Sequence, residues 1–231
     1  MLPIAILAGG LATRLGELTR DTPKSLLEIE NKPFIYWQLS LLKRKGIEKV
    51  VLCLSHKSEM IKNYVQDGSK FGLSVEYSFD GETQLGTGGA IKNALNYLGD
   101  KFMVLYGDSY LDVDFKEIEN KYLKSKMPAL MTVYRNENQF DQSNVYFEED
   151  VIKEYNKGDN DSKFKFIDFG LNFFEKKVFD NYSNSQKFDL AEVCSFLAKS
   201  GKLGGYEVKN RFYEVGSKLG IQEFQQYIKG A

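Results

Sequence analysis

The alternation of strand-like and helix-like patterns in the first half of the chain is the strongest constraint on its fold. A short apolar run ends directly in Gly9-Gly10, as a buried strand does when it enters a tight turn. Further apolar runs predict buried strands, and apolar residues at helical spacing lie between them. The predicted strands cover residues 3–7, 49–54, 73–78 and 102–106, and the predicted helices cover 33–45, 58–65 and 88–98. This order predicts an α/β fold, namely a Rossmann-like domain with a mixed, mostly parallel twisted sheet flanked by helices.

The second half of the chain is richer in strand patterns. We predict strands at 129–134, 144–148, 151–155, 166–174, 203–208 and 211–215, and helices at 190–199 and 221–228. The polar stretch 156–163, which contains Gly158, is typical of a mobile loop. Because we find no linker, repeat or low-complexity stretch, we expect residues 1–231 to form a single domain.

Composition excludes several classes of protein. Lys and Arg number 31 against 32 Asp and Glu, which argues against nucleic acid as a partner. The only histidine, His56, rules out a His-cluster metal site and argues against a Ser-His-Asp triad. Cys53 and Cys194 lie in apolar runs, which predicts buried free thiols and a cytoplasmic location. The absence of an apolar stretch of membrane-spanning length predicts no membrane partner.

The turn after the first strand has the composition of a phosphate-binding loop. Glycines free backbone N–H groups to surround an anion, and Arg14 and Lys24 add fixed positive charge. The spacing matches neither the dinucleotide pattern G-x-G-x-x-G nor the P-loop pattern. We therefore expect a triphosphate site of another kind, with contacts from the segment Leu7, Ala8, Gly9, Gly10, Thr13 and Arg14 and from Lys24.

Three further segments follow predicted strands or precede a helix, and each carries groups suited to a nucleotide. The glycine-rich run around Gly86, Thr87 and Gly88 lets another group approach the backbone closely, so it could read a nucleobase together with Gln84. Asp108 follows a buried strand, and Glu214 lies at the end of a later one. Ligands of open α/β sheets bind outside the carboxyl ends of the strands, so these segments could converge. Two carboxylates that meet there would suit Mg²⁺, with phosphate oxygens and water completing the ligand set.

At this point the chain resembles the sugar-1-phosphate nucleotidyltransferases, and within them the heptose 1-phosphate guanylyltransferases. The resemblance rests on L-A-G-G-L-A-T-R-L at residues 7–15, P-K-S-L at 23–26, L-G-T-G-G-A at 85–90 and G-D-S-Y at 107–110. It implies a Mg²⁺-dependent reaction in which a nucleoside triphosphate and a sugar 1-phosphate give a nucleotide sugar and pyrophosphate. It also implies a nucleotide-binding half at residues 1–115 and a sugar-phosphate-binding half at 116–231.

The resemblance also implies roles for individual residues. Arg14 would hold the β- and γ-phosphates, Lys24 would contact the α-phosphate, and Asp108 would bind Mg²⁺. Lys157 resembles the family's lysine for the sugar phosphate, and Gly170 resembles the glycine whose backbone faces the sugar.

The sequence departs from the family pattern at three places. Glu214 stands where the family usually has an Asp as its second metal ligand. Asp168-Phe169-Gly170 replaces N-A-G, and Asp189 and Glu192 are loose matches to an acidic stretch near the late helix. The resemblance implies sugar-phosphate contacts from five residues, namely Lys157, Asp168, Gly170, Asp189 and Glu192. The departures from the family pattern all lie in this sugar-phosphate-binding half.

The resemblance implies GTP as the nucleotide and a heptose or hexose 1-phosphate as the acceptor. Two other interpretations stay open. The chain could be a cytidylyltransferase that acts on phosphocholine or another phosphorylated acceptor, for which an aromatic cage would be expected. It could also be a regulatory protein that binds a nucleotide sugar without turnover. The sequence sets no oligomeric state.

Overall fold

The computed structural model describes residues 1–10, 13–81, 83–158, 161–184 and 186–230, and only the backbone of Thr13 and Arg14. Its helices are α1 (Phe34–Arg44), α2 (Ser58–Val65), α3 (Gly86–Leu98), α4 (Phe115–Ser125), α5 (Leu190–Lys199) and α6 (Lys218–Gly230). Its strands are β1 (Ile4–Leu7), β2 (Glu28–Ile29), β3 (Lys32–Pro33), β4 (Lys49–Leu54), β5 (Ser74–Phe79), β6 (Lys101–Tyr106), β7 (Ser109–Tyr110), β8 (Ala129–Arg135), β9 (Val145–Glu148), β10 (Val151–Tyr155), β11 (Phe166–Glu175), β12 (Leu203–Val208) and β13 (Tyr213–Glu214).

The first half forms the parallel part of the main sheet, as the strand and helix patterns predict. Strand β1 lies between β4 and β6 and is parallel to both, and β5 is parallel to β4 at the edge. Alternate residues of β1 enter the cores on opposite faces of the sheet. Ala5 packs in a core with α3, while Ile4 and Ile6 pack in a core with α1. Burial on both faces explains why the strand is apolar throughout.

The second half corrects the expectation of a mostly parallel sheet. Strand β11 is antiparallel to both β6 and β8, and β10 is antiparallel to β9 and β12. The sheet order is β5-β4-β1-β6-β11-β8-β12-β10-β9, and β9 also pairs with β11. That pairing, between Phe166 and Val145, closes the second half into a small barrel. The register of β11 shifts between Asp168 and Asn172, and such a bulge bends a strand and increases its twist.

The sequence patterns missed some elements and misplaced the ends of others. Helix α4 was not predicted, although Asp114 caps it by accepting from the Glu117 N–H at 2.9 Å. Helix α3 begins at Gly86, two residues before its predicted start, and α6 begins at Lys218 instead of residue 221. The predicted strand 211–215 is reduced to β13, which pairs with β7. The predicted mobile loop 156–163 falls partly outside the described residues.

Two expectations from composition can be compared with the structure. Cys53 and Cys194 are both free and buried, as predicted. Burial raises the pKa of both thiols, so they stay protonated and do not act as nucleophiles at neutral pH. Among the described residues, none of the helices has the length and apolar character needed to cross a membrane.

Candidate active site

Two adjoining cavities open at the carboxyl ends of β1 and β6. The first, of about 880 Å³, is lined by the glycine turn after β1, the start of α3 and Lys157. The second, of about 830 Å³, is lined by the bulge of β11, by β13 and by the first turn of α6. Both cavities are lined by Lys24, Tyr106, Asp108, Asp141 and Ile167. Lys24 and Asp108 therefore lie where a ligand in one cavity would meet a ligand in the other.

The glycine turn is held in place by side chains from two neighbouring segments. The Gly9 carbonyl accepts from Ser55 Oγ at 2.5 Å and from Gln84 Nε2 at 3.1 Å. A β-carbon on Gly9 would lie 2.8 Å from Ser55 Oγ, so a larger residue here would displace the Ser55 side chain. Leu7, Ala8, Gly9 and Gly10 line the first cavity, and their contacts with a nucleotide stay a prediction. The predicted contacts of the Thr13 and Arg14 side chains lie outside the described part of the structure.

The predicted pair of carboxylates comes together next to Lys24. Strand β13 pairs with β7 so that Glu214 lies opposite Ser109, and the Val215 N–H donates to the Asp108 carbonyl at 3.0 Å. Lys24 Nζ lies 2.9 Å from Asp108 Oδ2. The lack of a side chain at Gly216 lets these groups lie close together: a β-carbon there would lie 2.6 Å from Glu214 Oε2, 3.3 Å from Asp108 Oδ2 and 3.5 Å from Lys24 Nζ. Three charged atoms thus face one point.

Asp108, Glu214 and Gly216 line the second cavity together, and the two carboxylates could hold a divalent cation there. Carboxylate oxygens are the donors that hard cations prefer, and Mg²⁺ usually takes only one or two of them from the protein. The carboxylate of Glu214 is oriented by Ser217 Oγ, which donates at 2.5 Å, and by the Gly216 N–H. No group of three or more His, Cys, Asp or Glu side chains suited to a metal occurs among the described residues. A cation here would therefore complete its ligand set with phosphate oxygens and water.

The glycine-rich segment before Ala90 packs closely against a later part of the chain, and its use in reading a base stays a prediction. Its glycines form the first turn of α3 and lie against residues 186–189. The N–H groups of Gly88 and Gly89 donate to the Phe188 carbonyl at 3.0 and 3.3 Å. A β-carbon on Gly88 would lie 2.3 Å from the Phe188 ring. Gly86 and Thr87 line the first cavity, but Gly88 does not.

Asp80 lines the first cavity and was not identified from the sequence. It directly follows β5 and lies near Gln84. The Leu85 N–H donates to its Oδ2 at 3.2 Å, and partial burial raises the pKa of its carboxyl group. A carboxylate that is partly desolvated inside a cavity favours a ligand with N–H donors. The sequence contained a signal for this residue, because Asp80 is an acidic residue at the carboxyl end of a predicted strand, as Asp108 is.

Asp168 lines the second cavity, but both of its carboxylate oxygens accept hydrogen bonds from other groups of the protein. Its Oδ2 accepts from the hydroxyls of Tyr106 at 2.9 Å and Tyr155 at 3.3 Å. Its Oδ1 accepts from the Gly170 N–H at 3.0 Å and from Asn172 Nδ2 at 3.4 Å. Burial, and then the nearby Asp168 carboxylate, raise the pKa of both tyrosines well above 10. Asp168 therefore fixes the bulge of β11, while Gly170, whose φ is +97°, lines the second cavity.

The remaining predicted sugar-phosphate residues are divided by the structure. Lys157 lines the first cavity, with its Nζ 5.5 Å from the centre of the Tyr106 ring. Asp189 and Glu192 line neither cavity. They form a capping box at the start of α5, in which Asp189 Oδ1 accepts from the Ala191 N–H at 2.8 Å and Glu192 Oε1 accepts from the Asp189 N–H at 2.9 Å. The spacing D-x-x-E is the sequence signal for this box.

Comparisons with known proteins agree with this architecture. The family model described as nucleotidyl transferase matches residues 4–228. The D-glycero-alpha-D-manno-heptose 1-phosphate guanylyltransferase of Campylobacter jejuni is 32% identical over 91% of this chain and 93% of its own. The enzyme of the same name from Aneurinibacillus thermoaerophilus is 30% identical over 96% of this chain and 98% of its own. The crystal structure of HddC from Yersinia pseudotuberculosis complexed with GMP-PN superposes with a TM-score of 0.84 at 27% identity, covering 99% of this chain and all of that one. The chain therefore belongs to the nucleotidyl transferase family.

Proposed function

We propose that this protein transfers the guanylyl group of GTP to a sugar 1-phosphate, with a heptose 1-phosphate as the preferred acceptor, and releases pyrophosphate. The observation that carries the proposal is the position of Lys24 and Asp108 in the lining of both cavities. A nucleotide in the first cavity and a sugar phosphate in the second would bring their phosphates together at these residues. The relatives named above, which carry out this type of transfer, support the choice of substrates.

The reaction needs no nucleophile from the protein, because the acceptor phosphate is already an anion. One of its oxygens attacks the α-phosphorus, the bond from that phosphorus to the bridging oxygen of the β-phosphate breaks, and pyrophosphate leaves with the electron pair. The backbone of the glycine turn and Lys24 orient the triphosphate and offset its charge. The resemblance assigns the β- and γ-phosphates to Arg14.

Asp108 and Glu214 would hold a divalent cation, which we propose to be Mg²⁺. Such a cation supplies neutralisation of phosphate charge during the transfer. Glu214 would serve in place of the family's usual Asp, because Ser217 and the Gly216 N–H fix its longer side chain at the second cavity, which Asp108 also lines. Lys157 and the backbone at Gly170 would contact the acceptor.

Asp80 supports guanine as the base. Guanine presents N1–H and an exocyclic amino group side by side, and a carboxylate can accept from both. Uracil and thymine present carbonyl oxygens on either side of their one N–H, so a carboxylate would face acceptors there. Asp80 lies in the first cavity with the Oδ2 atom bonded to the Leu85 N–H. Its other oxygen is suited to a base donor.

The aromatic side chains at the second cavity do not favour phosphocholine as the acceptor. Phe140 and Phe212 line this cavity. The guanidinium carbon of Arg211 lies 4.4 Å from the centre of the Phe140 ring, so a cation of the protein already occupies that ring face. An open aromatic cage would be needed for a quaternary ammonium group. A sugar with many hydroxyl groups suits the mixture of polar and aromatic groups better.

We further propose that residues 1–231 act as one domain, with 1–115 serving the nucleotide and 116–231 serving mainly the acceptor. Glu214 crosses this division, because it comes from the second half and lies beside Asp108. The two buried free cysteines are compatible with a cytoplasmic location.

Pyrophosphate release tests the proposal, with GTP, ATP, CTP and UTP each combined with a panel of hexose and heptose 1-phosphates and with phosphocholine. We expect GTP with a heptose 1-phosphate to give the highest kcat/KM. The Asp108→Asn variant should lose about 100-fold or more in kcat. Asp114→Asn, a change at the surface cap of α4, serves as the matched control and should keep its activity. Equal rates with Asp108→Asn and the unchanged protein would refute the assignment.

A further inference from the structure

The ion pair between Lys24 and Asp108 joins two groups that need different partners during the proposed reaction. Lys24 Nζ lies 2.9 Å from Asp108 Oδ2, and the two side chains are 18% and 35% exposed. The proposed function assigns Lys24 to the triphosphate and Asp108 to the divalent cation. Neither group can take up its assigned partner fully while the pair is closed, since the ammonium occupies the carboxylate oxygen that faces the cation space.

We propose that Lys24 holds the place of the divalent cation in the nucleotide-free protein, and that the ion pair opens when the triphosphate binds. The proposal rests on the proposed function. The ammonium neutralises Asp108 and keeps its carboxylate turned toward the space beside Gly216. The same charge opposes a dication beside Asp108, because Lys24 Nζ lies 2.9 Å from Asp108 Oδ2.

Glu214 keeps its position whether the ion pair is closed or open, because groups other than Lys24 hold its carboxylate. Its carboxylate accepts from Ser217 Oγ and the Gly216 N–H, and no ion pair of Glu214 is present among the described residues. One carboxylate of the site is therefore preset and the other is covered by Lys24. When phosphate oxygens offer the ammonium a new partner, Asp108 Oδ2 becomes free. Cation and triphosphate should then bind with positive coupling, and this coupling is reciprocal.

The experiment measures the binding of Mn²⁺ alone to the nucleotide-free protein, by electron paramagnetic resonance or calorimetry. Lys24→Gln and Lys24→Met should each bind Mn²⁺ about three- to fivefold more tightly than the unchanged protein, as expected for loss of a partly exposed ion pair. Lys24→Arg keeps the pair and should leave the affinity unchanged. Lys157→Gln is the matched control, because Lys157 also lines the first cavity but has no ion pair within the described part of the chain. Its affinity should change less than about twofold, because its exposed charge is screened.

A second titration with GTP present and no acceptor tests the opening of the pair. GTP should raise the Mn²⁺ affinity of the unchanged protein by a larger factor than that of Lys24→Gln, since only the unchanged protein has a pair to open. Urea unfolding of each variant confirms that it is folded.

The outcomes separate the two proposals. If Asp108→Asn weakens Mn²⁺ binding but neither Lys24→Gln nor Lys24→Met strengthens it, the role of Lys24 as a cation substitute is wrong and the metal site stands. If Lys157→Gln strengthens binding as much as Lys24→Gln, the effect comes from overall charge and the proposal is again wrong. If Asp108→Asn binds Mn²⁺ as tightly as the unchanged protein, the metal site itself is wrong, and the proposed role of Lys24 fails with it.

Discussion

Substitution of Asp189 by alanine distinguishes a helix cap from a sugar contact. The change removes the hydrogen bond to the Ala191 N–H at 2.8 Å and the one from Thr87 Oγ1 at 2.9 Å. Loss of an Asp N-cap costs about 1 kcal/mol, and the exposed bond to Thr87 adds about 0.5 kcal/mol at most. We therefore expect the free energy of unfolding to fall by about 1–1.5 kcal/mol, which lowers Tm by about 2–6 °C in a chain of this size.

The assays are urea unfolding at pH 7 and steady-state kinetics with varied sugar 1-phosphate. The KM for the sugar phosphate should stay within about twofold, because Asp189 lies outside both cavities. Asp189→Asn keeps a capping side chain and should retain most of the stability. Asp114→Ala, which removes the equivalent cap of α4, should cost a similar amount. A tenfold rise in KM with unchanged stability would mean that Asp189 contacts the acceptor and that our argument is wrong.

Three further substitutions test other parts of the site. Gly216→Ala should lower kcat by about 100-fold, because its methyl group would lie 2.6 Å from Glu214 Oε2. Gly230→Ala, at the end of α6 with no atom within 4 Å of its β-carbon, should not affect kinetics. Gly88→Ala should cost about 1–3 kcal/mol in stability and leave the KM for GTP unchanged, a result that a nucleobase contact at Gly88 would contradict. Asp80→Asn should reduce the preference for GTP in kcat/KM. Because burial raises the pKa of Asp80, its carboxylate destabilises the fold only above its unfolded pKa, so Asp80→Asn should raise the urea midpoint at pH 7 but not at pH 3.

The parallel half of the fold could be predicted because its signal is local. Strands such as β4 are continuous apolar runs, and helices such as α5 have regular apolar spacing and clear ends. The closed second half could not be predicted in the same way. It depends on the pairing of Val145 in β9 with Phe166 in β11, two strands that are separated in the sequence by β10. It also depends on the bulge of β11 around Gly170. Neither leaves a periodic pattern in the sequence.

The site was predicted where a residue type has few structural uses, and less well where it has several. Asp108 follows the buried strand β6, whose end lies at the edge where ligands of such sheets bind. The pairing of β13 with β7 brings Glu214 to this edge, and the ion pair with Asp108 places Lys24 there. Acidic residues next to a helix start also serve as caps, and this second use explains Asp189 and Glu192. Glycines likewise serve both ligands and close packing, and Gly88 packs against Phe188. Residue type alone does not distinguish ligand binding from capping or packing, whereas the position of a residue in or outside the two cavities does.

The exchange of partners at Lys24 follows from placing one lysine between two cavities. A lysine that contacted only the nucleotide could lie anywhere along the first cavity, but Lys24 also lines the second and lies beside Asp108. Without ligands, Asp108 and Glu214 would face each other across the space at Gly216 with little to offset their repulsion. The ammonium of Lys24 offsets this repulsion and keeps Asp108 in position, while Ser217 Oγ and the Gly216 N–H hold Glu214. The same geometry therefore accounts for the stability of the nucleotide-free site and for the positive coupling that we propose between triphosphate and cation.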